Sequence, residues 1–173
     1  MPKRLHITTS IKAIMLFAVA FATLTISSCK KDSDGTPANT ISAKVDGTAT
    51  AFNTNAFAVT GTSGSLSFTA IQGTAANGTS ISVTINGTPV AGKTYSNTAA
   101  SDDDKPLVLF NTKDDDTFIN DDDAASQVTV TITSASSSRI SGTFGGGLTV
   151  FSTGTGGAKK VISEGKFDVS VAK

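Results

Sequence analysis

From Ile41 onward the chain is built of short segments in which an apolar residue alternates with Ser or Thr. Leu66-Ser67-Phe68-Thr69-Ala70, Ile81-Ser82-Val83-Thr84-Ile85 and Val128-Thr129-Val130-Thr131-Ile132 show the alternation most plainly. A period of two places one set of side chains on each face of an extended strand, so these segments predict half-buried β-strands. Thr, Val and Ile dominate where a helix would carry Leu, Glu or Ala, and no stretch holds helical spacing. Strands are expected near residues 41–46, 50–59, 64–72, 79–86, 107–112, 126–134, 138–144, 147–152 and 160–172. Asn77-Gly78, Asn86-Gly87, the triple glycine 145–147 and Gly154 through Gly157 supply turn signals between them. The expected fold is all-β, an antiparallel sandwich or barrel of about eight to ten short strands. No fixed repeat period marks a solenoid. In the last strand Phe167, Val169 and Val171 share one face while Ile162 falls out of phase. A bulge at Gly165 would restore it by shifting the register one residue.

The N-terminal pattern differs. Lys3, Arg4 and Lys12 precede a run from Ala13 to Ile26 in which Thr23 and Thr25 are almost the only polar residues. The run is shorter than the roughly 20 apolar residues that span a bilayer as a helix, so residues 1–28 are expected to be a cleaved signal peptide. Ile26-Ser27-Ser28-Cys29 follows and resembles the lipobox of bacterial lipoproteins, which implies acylation of Cys29 and attachment to a membrane. Residues 29–40 lack apolar periodicity, contain Gly35 and Pro37, and are expected to form a flexible lipidated tether; residues 41–173 form the domain.

Removing the leader changes the charge. The chain carries 14 basic and 14 acidic residues; three of the basic ones lie in the leader, which leaves a net of −3 behind it. A mildly acidic chain has no clustered Lys and Arg with which to hold nucleic acid. With Cys29 assigned to lipid, no intramolecular disulfide can form.

Ile41-Ser42-Ala43-Lys44-Val45-Asp46-Gly47 opens the domain; Arg139-Ile140-Ser141-Gly142-Thr143-Phe144 and Glu164-Gly165-Lys166-Phe167-Asp168-Val169 close it. Together with the lipobox these segments resemble a group of small lipoproteins of the Bacteroidota. The resemblance implies an outer-membrane lipoprotein with a β-sandwich-like domain, and no particular activity. Lys30-Lys31-Asp32-Ser33-Asp34 partly matches the Lys-plus-acidic signal associated with surface display in that phylum, which tilts the expected location toward the cell surface over the periplasmic face.

Familiar catalytic chemistry is scarce. The sole histidine, His6, lies in the leader, so Ser-His-Asp and Cys-His centres and His- or Cys-ligated zinc cannot be assembled from the remainder. Glu164 is the only Glu, and nine Asp fall in three polar runs, 102–104, 114–116 and 121–123. Loop aspartates lack the apolar surroundings that raise a carboxyl pKa for general-acid work. The expectation is therefore no enzyme, no cofactor and no metal. Calcium is the alternative for the Asp runs, against the plainer reading of charged hairpin tips that keep strand edges from pairing. The expected function is a non-catalytic binding or structural module whose partners are the membrane and an envelope protein, a glycan or a small apolar ligand. Two alternatives stay open: a lipocalin-like carrier with an apolar cavity, and a carboxylate-based glycan hydrolase.

Overall fold

A computed structural model describes residues 38–64, 66–121, 127–151 and 158–172. Residues 1–37, which include Cys29, the expected leader and most of the expected tether, lie outside the described residues, as do Gly154 through Gly157. Eleven strands carry the described fold: β1 Thr40–Val45, β2 Thr48–Ala51, β3 Thr54–Ser63, β4 Leu66–Thr74, β5 Ser80–Asn86, β6 Thr94–Ser96, β7 Leu107–Asn111, β8 Thr117–Ile119, β9 Thr129–Ala135, β10 Arg139–Val150 and β11 Lys159–Ala172. The all-β expectation holds.

All eleven strands belong to one sheet, and seven of them form a closed ring. β11 pairs with β3, and β3, β4, β5, β7 and β8 follow in turn; β8 pairs with β10, which returns to β11. A ring of this kind has no free edge of its own, which is how a barrel avoids edge-to-edge association. β1 and β2 extend from β11 along the edge it shares with β3, and β9 and β6 extend from β10 along the edge it shares with β8. The long β10–β11 pair is thus the seam from which both halves diverge. One junction corrects the antiparallel expectation: β11 meets β3 in parallel, through Val171↔Ala58 and Ala172↔Val59.

Several boundaries also move. The segment expected as one strand over 50–59 divides into β2 and β3. Between them Phe52 donates its N–H to the Ile41 carbonyl and Asn53 accepts the Ile41 N–H through its side chain, so the chain turns a corner there. The segments expected at 138–144 and 147–152 join into β10, because the triple glycine lies within a strand and not at a turn. A Cβ on Gly146 would collide with the backbone of Gln127 and Val128, so the approach to β9 needs a bare backbone at that point. β6 and β8 have three residues each, too few to show a period of two.

The bulge near Gly165 is present. Phe144↔Gly165 is followed by Gly146↔Ile162, so β11 advances three residues against two on β10. β1 records the same extra residue, passing from Ser42↔Lys166 to Lys44↔Ser163. Glu164 takes it up at φ +52. Ile162, Phe167 and Val169 are consequently all buried on the interior side.

The interior is one hydrophobic cluster drawn from both halves of the sheet. Phe52 meets Phe110 edge-on with centroids 6.4 Å apart, and Phe110 lies 6.3 Å from Phe118. Such pairs add about 0.5–1.5 kcal/mol each beyond their buried area. On the seam, Phe144 and Phe167 stack at 6.3 Å. Each of these two rings lies over the glycine that faces it across the strand pair, Phe144 over Gly165 and Phe167 over Gly142. A Cβ at Gly142 would collide with the Phe167 ring and the Thr131 carbonyl; at Gly165 it would collide with the Phe144 carbonyl and crowd its ring. We predict that Gly165→Ala costs about 1–3 kcal/mol, the usual cost of overpacking a filled core. An unchanged urea midpoint for that variant would contradict this packing.

Candidate functional site

The most densely connected polar group lies where the N-terminal segment enters the barrel. Asn39 donates from Nδ2 to the Ala56 carbonyl at 2.7 Å and to Ser170 Oγ at 2.9 Å, and its Oδ1 accepts the Ser170 N–H at 2.8 Å. Ala56 belongs to β3 and Ser170 to β11, so one side chain bridges the two strands of the parallel junction. Arg139 completes the group. Its Nε donates to Asp168 Oδ1 at 2.6 Å, and its Nη2 donates to the carbonyls of Ala38 and Asp168, each at 3.1 Å. Ser141 Oγ also donates to Asp168 Oδ1. Residues 38–40, expected to lie before the domain, therefore belong to the folded part. Ala38 and Asn39 are fastened to the barrel, and Thr40 already pairs with Asp168.

Strand alternation explains why these groups meet. Arg139 and Ser141 on β10 stand opposite Ser170 and Asp168 on β11, all on the face turned away from the buried Ile140 and Val169. The Arg139 guanidinium beside Asp168 holds that carboxyl below its ordinary value, with the Ser141 hydroxyl acting in the same direction.

A second carboxylate fastens the other end of β1. Asp46 and Gly47, at φ +48 and +80, make the two-residue turn between β1 and β2, the left-handed geometry that an Asp-Gly pair accommodates. Asp46 Oδ2 lies 2.8 Å from Lys160 Nζ, and Oδ1 accepts the Val161 N–H at 2.9 Å. The Lys160 contact, followed by the Val161 N–H, lowers the Asp46 carboxyl. The three segments that carried the resemblance therefore come together. β1 and β10 flank β11, with Ile41 and Gly142 both opposite Phe167.

The aspartate runs separate. Asp102–Asp104 form a 3₁₀ turn before β7, in which Asp102 pairs with Lys105 and Asp104 with Lys93, whose ammonium Asp104 raises. Asp114 pairs with Lys113 in the β7–β8 turn. The Asp121 carboxylate accepts from Thr149 Oγ1, and Asp122 and Asp123 lie outside the described residues. Among the described residues no group of three His, Cys, Asp or Glu gathers where it could hold a metal ion.

Asparagine supplies the polar contacts that the alternating pattern hid. Buried Asn97 accepts the Val128 N–H and donates to the Asp121 carbonyl. Asn120 does the same for Val108 N–H and the Pro106 carbonyl. Each amide stands in for a strand's backbone where a ladder ends. In the sequence these residues carry only the general mark of Asn beside a strand end.

Surface clefts of about 310–440 Å³ occur at four places. One, of about 440 Å³, opens where Thr88 and Pro89, Ser136 and Ser137, and the apolar Ile140 and Val171 meet, beside the Arg139 group. Of the buried aromatic residues only Tyr95 reaches any of the four. The chain matches no protein-family model, no curated protein and no solved structure.

Both fastening carboxylates have lowered pKa values in the fold. Their contribution to stability is complete above the unfolded value of about 4 and disappears as pH falls through the folded value. We expect melting temperature to drop between neutral pH and pH of about 3, and the drop to shrink in the double variant D46N/D168N. An equally steep acid profile in that variant would show that other groups govern it.

Proposed function

We propose that the protein is a lipid-anchored envelope module, held to the outer membrane through Cys29 and presenting a non-catalytic β-barrel for binding or for structural contact. The observation that carries this reading is the sequence Ile26-Ser27-Ser28-Cys29 directly after a basic and then apolar leader. The fastening of Ala38 and Asn39 supports it. A segment of eight residues, 30–37, separates Cys29 from a fixed point on the barrel, a reach of at most about 30 Å when fully extended. The domain so placed stays close to the lipid surface.

A non-catalytic role is supported by the side chains at hand. The residues after the leader carry no imidazole and, once Cys29 is acylated, no thiol. The two carboxylates with shifted pKa values are moved downward by cationic partners, opposite to what a general acid requires. The module reading is favoured over the apolar carrier by the interior, where Phe110 is in ring contact with both Phe52 and Phe118 and none of the three lines any of the four clefts. A ligand inside such a barrel would have to displace rings already packed together.

Cells expressing Cys29→Ala should lose palmitate labelling and release the protein from the membrane fraction. Retention of label by that variant would refute lipidation at Cys29. Protease added to intact cells should digest the wild-type domain if it faces outward, and complete protection would place it on the periplasmic side.

A further inference from the structure

Tyr95 is the largest fully buried side chain of the protein, at 1 % exposure, and its hydroxyl has no hydrogen-bond partner among the described residues. Buried tyrosine hydroxyls ordinarily find one. The ring itself is well held: Tyr95 pairs with Val130 of β9, and the Lys93 ammonium lies 4.7 Å from the ring centroid. Tyr95 lines a cleft of about 320 Å³ whose walls are Leu66, Ser67, Asn86, Gly87, Thr88, Lys93 and Asp103. The cleft falls at the lower end of the range of about 300–1,000 Å³ usual for small-ligand sites.

The lining specifies a ligand chemistry. Ser67, Thr88 and Asp103 make no side-chain hydrogen bond or ion pair among the described residues, so two hydroxyls and a carboxylate in the same cleft as Tyr95 stand ready for a ligand. Asn86 uses its Nδ2 on the Asp102 carbonyl, which leaves Oδ1 as an acceptor. The Lys93 charge is met at 2.6 Å by Asp104, so no uncompensated cation calls for an anionic ligand. Leu66, 64 % exposed at the rim, offers an apolar surface. Donors and acceptors are mixed, and an apolar wall stands next to them. The partner that answers this is uncharged, dense in hydroxyls and flat on one face.

We propose that the cleft between the β4–β5 strands and the β6 segment binds a neutral saccharide, with the Tyr95 hydroxyl as its buried anchor, Asp103, Ser67 and Thr88 as rim contacts and Leu66 against the sugar face. This rests on the reading of the barrel as a binding module and gives it a ligand class.

The test uses the full mature protein, purified in a detergent without a sugar headgroup and titrated with cellobiose and with diacetylchitobiose under saturation-transfer NMR. At least one disaccharide should bind at millimolar concentration. Tyr95→Phe should weaken it roughly tenfold at unchanged melting temperature, the effect of losing one hydrogen bond. The surface variants Asp103→Asn and Leu66→Ser, which leave the core intact, should weaken it as well, and they decide the matter if Tyr95→Phe fails to fold. Binding of neither disaccharide overturns the proposal, as does wild-type affinity in Tyr95→Phe, which would mean that water alone satisfies the hydroxyl. Palmitate labelling of Cys29 is independent of every one of these results, so a failure here is separable from a failure of the anchored-module reading.

Discussion

The fold depends on how closely β10 and β11 can approach with aromatic side chains between them and the core. Two phenylalanines on adjacent strands, each facing a glycine across the pair, solve this reciprocally. Phe144 covers Gly165 and Phe167 covers Gly142, and the rings then stack on each other. A side chain at either glycine would push the strands apart or turn a ring out of the interior. All else is hung from this pair. β1 and β3 share the far edge of β11, β8 and β9 share the far edge of β10, and the barrel closes only because both edges can be divided in this way.

The bulge at Glu164 belongs to the same constraint. Without the extra residue, Ile162 would point away from the core that receives Phe167. A single left-handed residue thus lets one strand serve two regions of the interior. The ammonium of Lys160, beyond the bulge, lies 5.6 Å from the Phe118 ring centroid and pairs with Asp46 at 2.8 Å.

Much of this was legible in the residues. Alternation located most of the strands, because a half-buried strand must repeat every second residue, and the phase error at Ile162 located the bulge. Glycine misled where its role was close approach and not turning. Gly145 to Gly147 look like a loop in the sequence, and only the neighbouring backbone of Gln127 and Val128 shows why bare positions stand inside a strand. β6 and β8 stayed hidden because three residues contain too little pattern. The polar group around Arg139 was hidden for another reason. Asn39, Ala56, Arg139 and Ser170 are far apart in sequence, and nothing local to any of them signals the others. Tyr95 is the sole tyrosine of the sequence, but its burial beside a polar cleft is a property of the closed sheet.

Asn39 has a mechanical consequence. The β3–β11 junction is among the shortest pairings of the ring, two residue pairs long, and Asn39 is the side chain that spans it. It also follows Ala38, whose carbonyl Arg139 holds. Tension arriving along the N-terminal segment is therefore delivered straight to the joint at which the barrel is narrowly closed. Arg139 and Asp168 brace that joint from the adjoining strands, so load is shared with the long seam before it can pry the ring apart.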